Sequence, residues 1–287
     1  MALERYFYRV PAEAEDDAVF ELTERGSEGV QVFALGPGEV RIEAYFSTPP
    51  EDLELAGAEF LGKEPVPKVD WFAAWRELAR PFAVGKSLWF DPREPGEKEK
   101  AEELGREEES RGERTEFRFP ARAAFGTGSH ESTRLALELL EETETLDKRV
   151  LDVGTGTGIL AIVALARGAK SAEAFDNDAA APFHARVNAV LNPTLSAPRF
   201  FAGTLEALVM DRRYDLALVN IIPEVFIPEL PHLAPLMVLG GEAIFSGILG
   251  VKAEEVSAAL RSHGFEPVAE RRDGEWIAFR TVFQPSC

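Results

Sequence analysis

A glycine-rich turn near the middle of the chain constrains the fold more than any other feature of the sequence. The apolar run 148–153 predicts a buried strand, and the run from Ile159 predicts a helix that Gly168 ends. The turn between them contains three alternate glycines, Gly154, Gly156 and Gly158. Glycine allows positive φ angles and a close approach of the backbone to a ligand. A strand, a glycine turn and a helix in this order are typical of the nucleotide-binding crevice of a doubly wound sheet.

Two acids indicate which nucleotide binds there. The glycine spacing alone also satisfies the loose dinucleotide pattern, so it does not decide. Asp152 lies two positions before the first glycine, where it would repel a pyrophosphate and attract a sulfonium nucleoside that carries an α-ammonium group. Asp176 follows the next apolar run, where an acid at a strand end accepts the hydroxyls of a ribose. Together the two acids favour S-adenosylmethionine over NAD.

Several further segments follow one order along the chain: Ala124 to Thr133 (Ala-Phe-Gly-Thr-Gly-Ser-His-Glu-Ser-Thr), the glycine turn, Asp176-Asn-Asp178, Asn220-Ile-Ile and Ser246-Gly-Ile-Leu249. In that order they resemble the PrmA family, the methyltransferases of ribosomal large-subunit protein eleven. The resemblance covers the chain except for a charged insertion at 93–116. It implies a class I methyltransferase with S-adenosylmethionine as cofactor. It also implies that lysine side chains and the N-terminal α-amine of that basic ribosomal protein receive the methyl groups.

The resemblance also implies which residues bind the cofactor. In the family, the positions that match Thr133, Gly154, Asp176 and Asn220 contact S-adenosylmethionine. From the residues themselves we add the strand-end acid and the rest of the turn, namely Asp152, Gly156 and Gly158.

The loop from Phe125 to His130 precedes a predicted helix, 131–141. Its backbone amides and the start of the helix form a pocket that suits the cofactor carboxylate, and we predict that Thr127 belongs to it. Phe125 is predicted to lie against the sulfonium methyl group or the substrate chain. For His130 we predict hydrogen bonds that shape the loop rather than acid–base chemistry, because no partnered acid or serine motif accompanies it.

Asn220 and Phe125 are the residues predicted to carry the reaction. Asn220 ends a central strand, on the same rim as the two acids, and its carbonyl can accept a hydrogen bond from a substrate N–H. Amino-methylating enzymes often place Asn-Pro-Pro-aromatic here, whereas this chain has Asn-Ile-Ile-Pro223. The missing aromatic side chain argues against a nucleic-acid base as substrate.

Composition narrows the function further. The net charge of −19 over 287 residues disfavours nonspecific binding to nucleic acid or an anionic membrane, and suits a basic protein partner. The single cysteine, Cys287, leaves no disulfide and no multi-cysteine metal site, and we predict no metal. Prolines and acids interrupt the apolar stretch 216–239, so it is not a membrane span. A cytoplasmic monomer is the expectation.

The order of predicted elements gives the domain organisation. Residues 1–65 show a β-α-β-β-α-β pattern, which predicts a ferredoxin-like α+β domain, with 5 basic and 15 acidic residues. The resemblance to the PrmA family implies that this domain recognises the substrate. A linker helix is predicted within 66–83. Residues 84–287 are predicted to form a Rossmann-like, doubly wound α/β sheet with a C-terminal antiparallel hairpin. Within it we expect one strand at 84–90 and an irregular, proline-broken helix at 224–239.

Three other functions share parts of this pattern. A nucleic-acid N-methyltransferase has the same fold, but the charge and the missing stacking aromatic oppose it. A noncatalytic nucleotide-binding module would keep Asp152 and Asp176 without needing Asn220 or the Phe125 loop. An NAD dehydrogenase ranks last, because no catalytic pair of histidine and acid is present in context.

Overall fold

The computed structural model describes residues 3–36, 38–48, 53, 55, 57–66, 80–93, 111–120, 128–192, 194, 196–208 and 213–285. The chain divides into two compact units, Met1–Trp71 and Phe72–Cys287. Most of the predicted linker helix and of the charged insertion lies outside the described residues. The domain boundaries at 65 and 83 therefore stay predictions.

The first unit contains a four-stranded antiparallel sheet. Its elements are β1 (Glu4–Pro11), α1 (Glu15–Glu24), β2 (Gly29–Gly36), β3 (Glu39–Phe46) and β4 (Glu59–Pro65). The strand order is β2-β3-β1-β4. Alternate side chains of β1 and β3, such as Tyr8 and Ile42, are buried in one cluster with Leu22 of α1. The second helix of the predicted pattern, near 51–55, falls mostly outside the described residues, so the complete ferredoxin-like assignment stays a prediction.

A three-stranded sheet, which the sequence did not predict, begins the described part of the second unit. It consists of β5 (Phe82–Val84), β6 (Leu88–Asp91) and β7 (Thr115–Arg118). The prediction of one strand at 84–90 is wrong, because the chain reverses at Gly85, whose φ is 57°. The Glu141 carboxylate fixes this turn by accepting hydrogen bonds from the backbone N–H groups of Lys86 and Ser87.

The second unit is built on a seven-stranded sheet. Its strands are β8 (Arg149–Val153), β9 (Ser171–Asp176), β10 (Arg199–Ala202), β11 (Tyr214–Asn220), β12 (Met237–Leu249), β13 (Phe265–Asp273) and β14 (Trp276–Phe283). The order is β10-β9-β8-β11-β12-β14-β13. The first five strands are parallel, and β14 pairs antiparallel with both β12 and β13. The predicted doubly wound sheet with a C-terminal hairpin is confirmed.

Helices cover both faces of this sheet. They are α2 (Glu131–Glu141), α3 (Ile159–Ala166), α4 (Ala181–Leu191), α5 (Pro223–Leu233) and α6 (Ala253–Ser262). Buried side chains of α2, α3 and α4 form one core cluster with the sheet, and those of α5 and α6 form a second. The parallel strands thus have apolar cover on both sides, as such sheets require. Across the described residues, no helix is long and apolar enough to cross a membrane.

The prediction of an irregular helix at 224–239 holds at its start but is wrong at its end. The α-helix α5 contains Pro228 and Pro231 but ends at Leu233, and strand β12 already begins at Met237. Proline removes a helical hydrogen bond, so such a helix depends on packing. Its buried side chains, Phe226, Leu230 and Leu233, supply that packing against the sheet.

Candidate active site

The glycine turn joins β8 to α3 at the carboxyl edge of the sheet. The backbone N–H groups of Gly154 and Thr155 donate to the carbonyl oxygen of Phe175, at 3.0 and 2.9 Å. Gly154, Gly156 and Gly158 have φ angles of 71°, 52° and 82°. A Cβ at Gly158 would lie 2.9 Å from Cζ of Phe200. Positive φ and close packing together explain why glycines form this turn.

Asp176, the last residue of β9, holds the turn from the neighbouring strand. Its Oδ2 accepts a hydrogen bond from the Gly156 N–H at 2.8 Å, and its Oδ1 accepts one from the Asp178 N–H at 3.0 Å. The side chain also lines a cavity of about 390 Å³. Asp176 therefore lies where a ligand hydroxyl can reach it, as the sequence predicts.

Asp152 lies on the protein side of the turn and is 1% exposed. Its Oδ2 accepts hydrogen bonds from the Thr155 hydroxyl at 2.7 Å and from the Ala161 N–H at 3.2 Å. Its Oδ1 has no partner among the described residues. Burial, with a smaller contribution from the charge of Asp176, raises the pKa of Asp152 to about 7. Asp152 does not line the cavity, and its visible role is to brace the turn.

The cavity lies beside the carboxyl ends of the parallel strands, the usual ligand position in such sheets. One part of its lining is apolar and includes Val153, Phe175, Leu205, Ile221 and Val225. Polar groups are placed around this surface: Asp176, Asn177, Thr204, Glu206, Asn220 and Glu229. Its volume falls within the range of pockets that bury small molecules, and a mostly apolar lining with a few polar groups is typical of them.

Asn220 and Thr133 meet at the edge of the cavity. The Asn220 Nδ2 donates to Oγ1 of Thr133 at 3.2 Å, and Thr133 is fully buried in the first turn of α2. The Asn220 Oδ1 is buried and has no partner in the described parts of the chain. A buried amide oxygen without a hydrogen bond is costly, so a group that donates to it is expected.

The start of α2 is held by local hydrogen bonds. His130 caps the helix, because its Nδ1 accepts from the Ser132 N–H at 3.2 Å. The His130 ring also lies edge-on to Trp276, with 4.8 Å between ring centroids. The Ser246 hydroxyl donates to the Ser132 carbonyl at 2.7 Å, which links α2 to the end of the central sheet. These contacts give His130 the loop-shaping position that the sequence predicts.

Comparison with known proteins gives the family. The profile of the family described as "Ribosomal protein L11 methyltransferase (PrmA)" matches residues 10–284. The chain belongs to this family. The ribosomal protein L11 methyltransferase of Thermus thermophilus is 33% identical over 266 residues, 92% of this chain and 94% of that protein. That of Desulfitobacterium hafniense is 34% identical over 219 residues, 76% of this chain and 66% of that protein.

Solved structures support the same family. The crystal structure of ribosomal protein L11 methylase from Lactobacillus delbrueckii subsp. bulgaricus is 29% identical to this chain, with a TM-score of 0.61. It matches 72% of this chain and all of that chain. Membership in the PrmA family confirms the resemblance and the class I methyltransferase fold. It favours a protein methyltransferase over the nucleic-acid enzyme, the noncatalytic module and the dehydrogenase.

The predicted site residues of this PrmA family member are only partly brought together. Gly154, Gly156, Asp176 and Asn220 line the cavity, with Thr133 bonded to Asn220. Asp152 and Gly158 are buried behind the turn, and Phe125 and Thr127 lie outside the described residues, so their roles stay predictions. The segment Gly203-Thr-Leu, which the sequence predicts to lie near the adenine, also lines the cavity, whereas sequence reasoning missed Glu206, Val225 and Glu229. The only signal available for them was their position just after the ends of parallel strands.

Proposed function

We propose that the chain transfers methyl groups from S-adenosylmethionine to amino groups of ribosomal protein L11, both lysine side chains and the N-terminal α-amine. The names of its family and relatives support the substrate. One observation supports the reaction above the others. It is the buried Oδ1 of Asn220, which has no hydrogen-bond partner among the described residues and lies at the edge of a cavity that Asp176 also lines.

The residues of the cavity fit S-adenosylmethionine. Asp176 offers a carboxylate to the ribose hydroxyls, and the glycine turn brings backbone close to the ligand without an intervening Cβ. Phe175 and Leu205 offer an apolar surface to a purine ring. When bound, this cofactor supplies an electrophilic methyl group on a sulfonium sulfur. Asp152 acts from behind the turn, which it holds in shape by accepting hydrogen bonds from Thr155 and Ala161.

Asn220 positions the acceptor nitrogen. Its Oδ1 accepts a hydrogen bond from the substrate N–H, and this fixes the direction of the nitrogen lone pair. Thr133 holds the amide in place by accepting from Nδ2. Phe125 and Thr127 are proposed to complete the site from the loop before α2.

An apolar mouth favours the reactive form of the substrate. A lysine amine attacks only when it is neutral, and its ordinary pKa of about 10.4 leaves it almost fully protonated near neutral pH. Ile221 and Val225 line the cavity beside Asn220, and burial against such side chains disfavours the ammonium form. The side chains thus shift the amine towards its neutral state, and solvent takes the proton.

The acidic charge guides the choice of partner. A net charge of −19 attracts a basic ribosomal protein and repels nucleic acid. The protein is proposed to act in the cytoplasm as a monomer, without direct binding to nucleic acid. Its N-terminal unit, 1–65, is proposed to recognise the substrate.

Methylation with labelled cofactor tests the proposal. Wild-type protein, incubated with a lysate from a strain that lacks the enzyme, should label ribosomal protein L11. Asn220→Ala should reduce turnover by about a hundredfold, because the nitrogen is no longer positioned. Its affinity for S-adenosylhomocysteine, measured by calorimetry, should stay within a few fold of wild type. Label on a different protein, or unchanged turnover of the variant, would contradict the proposal.

A further inference from the structure

We infer that four exposed aliphatic side chains beside Asn220 form a docking surface for a basic substrate polypeptide, on the segments that flank its acceptor amine. We call Ile222, Val225, Leu249 and Val251 the apolar rim. The inference rests on the proposed function and deepens it, because it names the surface that selects the substrate next to the reacting group.

The apolar rim is unusually open to solvent for side chains of this kind. Their exposed fractions are 52% for Ile222, 49% for Val225, 38% for Leu249 and 92% for Val251. Single exposed aliphatic residues are common on protein surfaces, but a group of them at one place marks an interaction site.

Three contacts place the four side chains at one edge of the sheet. Asn220, the last residue of β11, is the register partner of Ser246, and β12 continues beyond it to Leu249. The chain after β11 therefore leaves the sheet beside the last residues of β12. The residue after β11 touches this part of β12, since a Cβ at Gly247 would lie 2.9 Å from the carbonyl oxygen of Ile221. Glu224, in the first turn of α5, forms an ion pair with Lys252, which ends the short turn after β12 and follows Val251.

The apolar rim is continuous with the cavity. Val225 belongs to both, and Ile221, between Asn220 and the rim, also lines the cavity. A side chain that reaches the Asn220 amide therefore brings its own backbone and neighbouring residues over the rim. A lysine suits this path, because its charged end is carried on a flexible stem of four methylene groups.

The surrounding charge favours a basic polypeptide as the occupant. Glu206 and Glu229 line the cavity. Glu254 and Glu255 lie in the first turn of α6, a few residues after Val251 of the apolar rim. These acids, and the net charge of −19, would repel a second copy of this chain or a nucleic acid. Charge attracts the partner and sets its approach, whereas desolvated apolar contacts usually hold it.

A double variant, Ile222→Ser with Val251→Ser, tests the docking surface. We expect the Kd and the KM for ribosomal protein L11 to rise by about tenfold, since each change removes apolar contact area. The kcat at saturating substrate and the affinity for S-adenosylhomocysteine should stay within about twofold of wild type, because Asn220 and Asp176 are untouched.

The matched control is Val190→Ser with Leu239→Ser. Val190 on α4 is 85% exposed and Leu239, in the opposite end of β12, is 78% exposed, so the control removes similar area elsewhere. The control should leave every measured constant unchanged. Thermal melting checks that both double variants fold.

Several results would overturn the inference. One is an unchanged KM in the rim variant, and another is an equal rise in the control. Loss of cofactor affinity in the rim variant would place these side chains in the cofactor site instead. A change in mass by light scattering would identify a second copy as the occupant. Wild-type protein that binds cofactor but never methylates ribosomal protein L11 would overturn the proposed function, and this inference with it.

Discussion

Asp152 and Asp176 lie near the carboxyl ends of two adjacent parallel strands, yet they meet different surroundings. Asp152 is 1% exposed, raised in pKa and absent from the cavity lining, whereas Asp176 lines the cavity. Both accept hydrogen bonds from backbone N–H groups of the glycine turn or the helix after it. Asp152 therefore holds the turn from the protein side, whereas Asp176 holds it from the cavity side, where a ligand can contact the carboxylate.

The difference follows from position along the strand. Asp152 is paired in register with Ala174 and Leu218, two residues of the buried cluster under α2 and α3. Its side chain therefore faces that core. Asp176 is the last residue of β9, beyond the pairing with β8, where the helical cover ends. Asp176 is two residues after Ala174, so strand alternation places it on the same face as Asp152. The two acids differ because one lies within the pairing of β8 with β9 and the other lies beyond it.

The largest expected effect is at Asp176. Asp176→Ala removes the ligand carboxylate and the acceptor of the Gly156 N–H, so affinity for S-adenosylhomocysteine should fall by about a hundredfold. Calorimetric titration measures the loss. Asp178→Ala is the matched control, because among the described residues the Asp178 Oδ1 accepts a local hydrogen bond from the Ala180 N–H and the side chain does not line the cavity. The affinity of this variant should stay within about threefold of wild type. Equal losses of affinity in the two variants would show that Asp176 is not the carboxylate that contacts the ligand.

A pH titration of stability sharpens the comparison at Asp152. Its pKa is raised from 3.8 to about 7, so the folded state binds the proton more tightly than the unfolded state. The free energy of unfolding should therefore fall as pH rises through this window. Asp152→Asn removes this titration. We expect wild type to lose about 2 kcal/mol relative to the variant between about pH 5 and pH 7.

Urea denaturation of the cofactor-free protein at each pH measures this difference. Asp176 is the charged side chain that adds to the rise, while α3 and the middle of β11 carry no titratable group. Asp176→Ala should therefore shift the wild-type curve only slightly. Parallel curves for wild type and Asp152→Asn would show that the buried carboxyl does not titrate in this window.

The smallest expected effect is at Thr155. Thr155→Val keeps the shape of a buried side chain but removes the hydroxyl that donates to Asp152 at 2.7 Å. We expect a loss of about 1 kcal/mol in the free energy of unfolding at neutral pH. In the Asp152→Asn background the same change should cost less, because the two residues share one hydrogen bond. Strictly additive losses would mean that this bond does not hold the turn.

The sequence is informative where local chemistry alone decides the structure. The turn at 154–158 was predictable because glycines take its positive φ angles, and the rim position of Asn220 followed from its place at a strand end. The reversal at Gly85 was not, since Glu141, far along the chain, fixes it through the N–H groups of Lys86 and Ser87. A contact between residues so far apart in the chain produces no periodic pattern from which the sequence could predict it.

The same limit applies to the site. Spacing placed Asp152 and Asp176 on one edge of the sheet, but it did not show that only Asp176 lies beyond the pairing of β8 with β9. The residues Glu206 and Glu229 reach the cavity from a short turn after β10 and from α5, and no motif joins them. The position of these two side chains at the cavity depends on how whole helices and strands pack against one another.

Strand β14 is inserted between β12 and β13, although it follows both in the sequence. During synthesis, the backbone donors and acceptors on one side of β12 therefore have no strand partner until residues 276–283 have been made. An open row of this kind is a place where nascent chains pair wrongly. The synthesis of β14 thus closes the half of the sheet that carries Ser246, and a chain truncated before residue 276 keeps an unpaired strand edge that favours aggregation.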